Sequence, residues 1–291
     1  MRARTIWYCS THNCWGRGGN PPQPGVVGKL MLGEVVDDMH DPREGVTPDG
    51  LIRTGAARDA IASTWLPVLQ SAMDAVTGPA SLYVYGSVAT GCAVIRRSDV
   101  DLLCVGLPAQ EAERIGIDLS TRFSDVCREV SIAPAEREGL QAQGDEAHGL
   151  RVFLRHYCVH LAGDDPARDL PAFPADALAA RGFNGDIALH LQRWQSGAED
   201  EADPARLAMR IARKTLLAVA GLVSIRDATW TTDRRTSARR WTELEPGVPV
   251  DTLVEWLDTP TRDQAEVHRM LERPVTDVVQ LFQSEIGLWN P

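Results

Sequence analysis

Along residues 55–77, Ile61, Trp65, Val68, Leu69 and Met73 recur every three or four positions, the period of a helix with one buried face. Gly78-Pro79 closes that pattern. "SLYVYGS" (81–87) then reads as a strand, rich in aromatic and β-branched residues. "SVATGCAV" has room for about two helical turns, and "DVDLLCVGL" (99–107) is a second strand, stopped by Pro108. Ile115, Leu119, Phe123 and Val126 restore helical spacing. In "REVSIAPA" (128–135) alternation returns, with Val130 and Ile132 on one face and Glu129 and Ser131 on the other. "LRVFLRHYCVHLAGDDP" (150–166) holds a further short helix or strand ending at Gly163. Alternating helices and strands predict an α/β unit built on a small mixed sheet with flanking helices.

After residue 170 the pattern becomes helical. "LPAFPADALAARGF" reads as a proline-punctuated link. Within 197–221, Asp203 suits a helix N-cap, Pro204 the first helical position and Gly221 the end. Residues 234–244, 251–258 and 264–286 also carry helical patterns. The expected organisation is an irregular leader (1–54), a sheet-bearing domain (55–168) and an all-α helical bundle (174–291), with a cleft between the last two. "WGRGGNPPQPG" and "DDMHDPREGVTPDG" (37–50) read as loop, and the leader as flexible or as sequence upstream of a true start near Met31.

Composition narrows the function classes. The 291 residues carry a formal net charge of −10, which repels nucleic acid on average, so a nucleic-acid partner is not expected and a cationic small substrate fits the sign better. Lys29 and Lys214 are the only lysines. Six cysteines in a chain of this length are not a disulfide framework; Cys104 and Cys158, in apolar runs, look like small buried hydrophobes. "LLAVAGLVSI" (216–225) is too short to span a bilayer, and the N-terminus lacks the apolar core of a signal peptide, so a cytoplasmic location without membrane attachment is expected. Cys9, His12 and Cys14 could form half a zinc site, but no second cluster with ligand spacing follows.

The chemistry concentrates in "VYGSVATGCAVIRRSDVD" (84–101). Asp99 and Asp101, two apart on a strand, point to one face with Cα atoms roughly 6.5–7 Å apart. Two ionised carboxylates so close repel, and a divalent cation compensates them; oxygen ligands favour Mg²⁺, or Mn²⁺. Gly86-Ser87 falls at a strand-to-helix junction, where glycine lets backbone N–H groups approach a phosphate and the Ser87 hydroxyl adds a donor. In that order, the two features would set a triphosphate beside its metals.

Gly86-Ser87, eleven intervening residues and then Asp99-Val100-Asp101-Leu102 resemble the signature of the polymerase-β-like nucleotidyltransferase superfamily. The resemblance implies two metal ions, ATP as substrate and transfer of a nucleoside monophosphate to a hydroxyl. It also implies a third carboxylate on a later strand. Glu129 in "CREVSIAP" is the choice, similar in context to the glutamate that activates the acceptor in aminoglycoside adenylyltransferases, with Asp125 as the fallback. "VHLAGDDP" and residues 212–246 resemble later parts of that small bacterial branch, which points to a small hydroxylated, aminoglycoside-like acceptor and a role in antibiotic resistance. Where relatives carry lysine after a Ser/Thr, this chain has Asp233 and Arg234, so that nucleotide contact is not carried over. Two other functions stay open: a toxin–antitoxin-type transferase acting on protein or tRNA, and a catalytically silent nucleotide-binding module.

Several residues have ordinary readings. His156 and His160 lack the glutamate of a metalloprotease motif and are expected in a half-buried element. Arg96 and Arg97 would cap a loop, and Lys214 would be solvated. "AEDEAD" (198–203) would be an acidic helix start. Trp230 and Trp241 would pack in a core.

Overall fold

The computed structural model describes residues 40–197 and 203–289. The Cys9/His12/Cys14 group, the glycine–proline run at 15–25 and most of "AEDEAD" lie outside them. The chain divides into two compact units, one containing Ala57–Glu136 and Val159–Asp164, the other Asp41–Ala56, Arg137–Cys158 and the chain from Asp165 onward.

In chain order the elements begin with a hairpin of β1 (Gly45–Val46) and β2 (Ile52–Arg53). Next come α1 (Leu66–Ala75), β3 (Ser81–Tyr85), α2 (Gly86–Thr90), β4 (Val100–Val105), α3 (Ala109–Arg122) and β5 (Val130–Ala135). They are followed by α4 (Arg137–Gln141), α5 (Asp145–Tyr157) and β6 (Val159–Ala162). The remainder is helical: α6 (Ala177–Asn184), α7 (Ile187–Gln195), α8 (Pro204–Arg226), α9 (Arg234–Leu244), α10 (Asp251–Glu255), α11 (Gln264–Met270) and α12 (Thr276–Glu285).

The first unit is a four-stranded mixed sheet in the order β5-β4-β3-β6, with β4–β5 parallel and the other pairs antiparallel. Every residue of β3 is buried, as befits a central strand covered on both faces. The crossover helix α3 sits close against β5: a Cβ on Gly116 would lie 3.0 Å from the Val130 carbonyl oxygen. One residue-turn later the Ser120 hydroxyl accepts the Val130 N–H at 2.8 Å, satisfying a donor at the start of this edge strand. That bond pins the chain just beyond Arg128 and Glu129. The helix expected from residue 55 begins only at Leu66, after two 3₁₀ turns. Pro67 is the reason, since proline is tolerated in the first helical turn and would break a helix extending upstream through it.

The second unit is built on α8, whose Ile211, Leu216, Val219, Leu222 and Val223 are fully buried in one apolar cluster. Asp203 caps it as expected, accepting the Ala205 N–H at 3.1 Å, and Pro204 opens it. Gly221 does not end it. The helix runs on to Arg226, and Gly221 lies where a Cβ would meet Phe282 at 3.3 Å and Ala180 at 3.4 Å. Helix α6 forms within the second half of the expected proline-punctuated link, and α7 follows it. The 264–286 pattern is broken at Pro274, giving α11 and α12.

The polar stretch before residue 50, read as loop, contributes β1 and a half-buried polar anchor. The Glu44 carboxylate accepts from the Tyr157 hydroxyl at 2.8 Å, the Thr232 N–H at 2.8 Å, and the Thr232 and Thr231 hydroxyls at 2.7 and 3.1 Å. Burial pushes the Glu44 carboxyl up, and these donors partly offset it. The α/β architecture followed by a helical remainder is as the sequence predicts. No helix among the described residues is long and apolar enough to cross a membrane.

Candidate active site

Strand β3 ends at Tyr85 in an extended conformation, and the chain turns at Gly86, where φ is +69°. Only glycine adopts this readily. The pairing of Tyr85 with Asp101 sets Gly86 against the neighbouring strand, and a Cβ on Gly86 would stand 3.0 Å from Asp101 Oδ2. Ser87 is the second residue of α2; its carbonyl accepts the Cys92 N–H at 2.9 Å, which closes the short helix. Gly86 and Asp101 thus lie side by side.

Asp101 lies within β4, half-buried, and Asp99 immediately before it. The parallel register pairs Asp101 with Ser131, whose hydroxyl donates to Asp101 Oδ1 at 3.1 Å. Sequence reasoning did not single out Ser131, although alternation had set it on the face of Glu129.

Asp99 meets an arginine. Arg128 Nε donates to Asp99 Oδ1 at 2.8 Å while Nη2 donates to Oδ2, a two-pronged ion pair. The Asp99 side chain is 9% exposed and that of Arg128 43%. Backbone bonds hold the pair in register: Arg128 N–H to the Ser98 carbonyl at 3.0 Å and Val100 N–H to the Glu129 carbonyl at 2.8 Å. No periodicity marks Arg128; the available signal was its position beside Glu129, which was expected on the strand and lies immediately before β5.

Glu129 stands next to this pair. Burial pushes its carboxyl up to about 7, the Asp99 charge adds to the rise, and Arg128 opposes it. A carboxyl in that range exchanges a proton near neutral pH. Asp125 is exposed in the turn before β5, where its carbonyl accepts from Arg96 Nε at 3.0 Å, so Arg96 ties one loop to another.

The donor set suits a hard divalent cation. Asp99 and Asp101 could each offer carboxylate oxygens to such a cation, and the Arg128 guanidinium already answers the charge of Asp99. Among the described residues no group of three or more His, Cys, Asp or Glu side chains is gathered to hold a metal. Mg²⁺ needs only one or two carboxylates beside phosphate oxygens and water.

The remaining candidates fall elsewhere. Lys214 is not solvated: its side chain is 15% exposed and its ammonium lies 2.6 Å from Asp186 Oδ1. Burial alone would raise the Asp186 carboxyl, but Lys214 and His190 outweigh it and hold it at about 2. Trp230 and Trp241 are core residues, donating to the Tyr157 hydroxyl at 2.6 Å and the Val248 carbonyl at 2.9 Å. Asp233 caps α9, accepting the Thr236 N–H at 2.7 Å. His156 and His160 are half-buried, as expected. Cys104 is buried with its thiol pushed up to about 12 by burial and by Glu111, whereas Cys158 is only half-buried.

No protein-family model matches the chain, and no curated protein sequence does. Among solved structures the chain is similar to the spectinomycin adenyltransferase AAD(9) from Enterococcus faecialis, solved with ATP and spectinomycin. The two are 10% identical with a TM-score of 0.49, over 76% of this chain and 98% of that one.

Proposed function

We propose that the chain is a metal-dependent nucleotidyltransferase that moves AMP from ATP onto a hydroxyl of a small acceptor. The observation that carries this reading is the Gly86 turn at positive φ, its missing Cβ facing Asp101 Oδ2 on the neighbouring strand. A glycine there lets the backbone of the Gly86-Ser87 turn come close to a phosphate beside that carboxylate.

In this reading Asp99 and Asp101 hold Mg²⁺, with Ser131 orienting Asp101 through its hydrogen bond. When bound, the metal stabilises charge on the attacking and leaving oxygens. Gly86 and Ser87 cradle the terminal phosphates. Glu129 takes the proton from the acceptor hydroxyl as it attacks the α-phosphorus, and pyrophosphate leaves. An amine-bearing sugar of the aminoglycoside class is the first acceptor to test, because the net charge of −10 suits a cation.

Incubation with labelled ATP, Mg²⁺ and a panel of aminoglycosides should release pyrophosphate only when an acceptor is present. Asp101→Asn keeps an oxygen for Ser131, so the fold should persist. Turnover should fall by about a hundredfold or more, since losing even an outer support of a metal costs about 10–100-fold. Unchanged turnover in that variant would refute the assignment. A catalytically silent nucleotide-binding module is the second reading, favoured by the engagement of Asp99 with Arg128. Nucleotide binding without pyrophosphate release on any sugar, protein or tRNA would select it.

A further inference from the structure

The Asp99 carboxylate, proposed above to hold the metal, is answered in this fold by a side chain. The Arg128 fork covers both oxygens of Asp99, one bond of 2.8 Å from Nε and a second from Nη2. The two partners differ in exposure. Asp99 is held in a nearly closed position at the mouth of β4, while the Arg128 side chain stays almost half open to solvent. Arginine is the side chain best shaped to exchange a carboxylate for a phosphate, since its planar donors match both. A divalent cation approaching Asp99 meets the guanidinium charge in its place, so the two compete for one carboxylate.

Resting on the nucleotidyltransferase reading, we propose that Arg128 is a displaceable counter-ion. It occupies Asp99 while no metal–nucleotide is bound, and turns to the polyphosphate when the metal takes the carboxylate. Arg128 is then a substrate-positioning residue that couples metal entry to nucleotide entry. Metal alone must evict the arginine without offering it a phosphate in exchange. Metal arriving with a nucleotide offers the guanidinium a phosphate in exchange. The neighbouring Glu129 also loses a nearby cation when the fork opens, and the metal replaces that charge.

The test is direct binding, without turnover. Mn²⁺ alone is titrated by loss of the free-ion electron paramagnetic resonance signal. A non-hydrolysable ATP analogue is then titrated calorimetrically at saturating Mn²⁺. Arg128→Met removes the charge and the fork at similar length. It should bind Mn²⁺ alone about tenfold more tightly than the unaltered chain, and the analogue about tenfold more weakly, the size expected for one charge-assisted contact. Arg128→Lys keeps the charge without the fork and should shift both constants in the same directions by less; it serves if Arg128→Met does not fold. Unchanged affinity for either ligand in a folded variant overturns the proposal, and a lowered melting temperature with both constants unmoved would mark the fork as a structural latch only. If the unaltered chain binds no analogue with Mn²⁺, and Asp101→Asn leaves Mn²⁺ uptake unaltered, the nucleotidyltransferase reading itself falls.

Discussion

At His156 the ring nitrogen Nε2 accepts the Phe173 N–H at 2.8 Å, so the lone pair that would take a proton is already engaged. Burial first, then the Arg155 charge, push this imidazole down to about 4 from an ordinary 6.5. The folded chain therefore resists the proton while the unfolded chain accepts it below about pH 6.5. Between those two values the unfolded state binds more protons, so stability falls as pH drops through the window and is fullest above it. His156→Gln keeps an acceptor for Phe173 without the titration. Urea midpoints measured from pH 7 to pH 4 should fall less steeply in this variant than in the unaltered chain; parallel curves would sink the assignment. Residue chemistry of this kind was only partly legible beforehand. The helical or strand setting of His156 could be read from its neighbours, but its hydrogen-bond partner lies seventeen positions away.

Among elements, the crossing of α5 and α6 is decided by two glycines. A Cβ on Gly149 would lie 2.3 Å from the Gly182 carbonyl oxygen, and one on Gly182 would lie 2.7 Å from the Gly149 backbone. Gly149→Ala should thus cost about 1–3 kcal/mol through overpacking, even though alanine is the better helix former. Gly139 in α4 is the control, because a Cβ there meets nothing closer than a Leu150 methyl at 4.0 Å. Gly139→Ala should stabilise by about 0.5–1 kcal/mol. Denaturant midpoints of the two variants should move in opposite directions. The same contrast explains which elements were legible. The range of α9 matches the sequence expectation because its period and its Asp233 cap are local. Gly221 misleads as a helix end because close packing against α12 and α6, rather than a turn, calls for it there.

For the molecule as a whole, the long-range polar anchor at Glu44 matters most within the helical unit. It joins positions 113 and 188 residues further along the chain through Tyr157 and Thr232. Glu44→Ala leaves buried donors without their acceptor and should cost on the order of 2–3 kcal/mol. The urea midpoint should shift accordingly, with helical circular dichroism preserved in native buffer. An unchanged midpoint would show the anchor to be dispensable. The sequence by itself determined the strand–turn–helix–strand order, the mixed α/β class followed by helices, and the spacing of Gly86, Asp99, Asp101 and Glu129. Each of these follows from side-chain period and from the special backbone of glycine and proline, which act over a few residues. Tertiary structure alone decided that Arg128 answers Asp99, that Lys214 is buried on Asp186, and that a glutamate from the presumed loop is anchored beneath two threonines. Those partners are far apart in the chain, and charge pairing carries no period by which a reader of the sequence could choose among thirty basic residues.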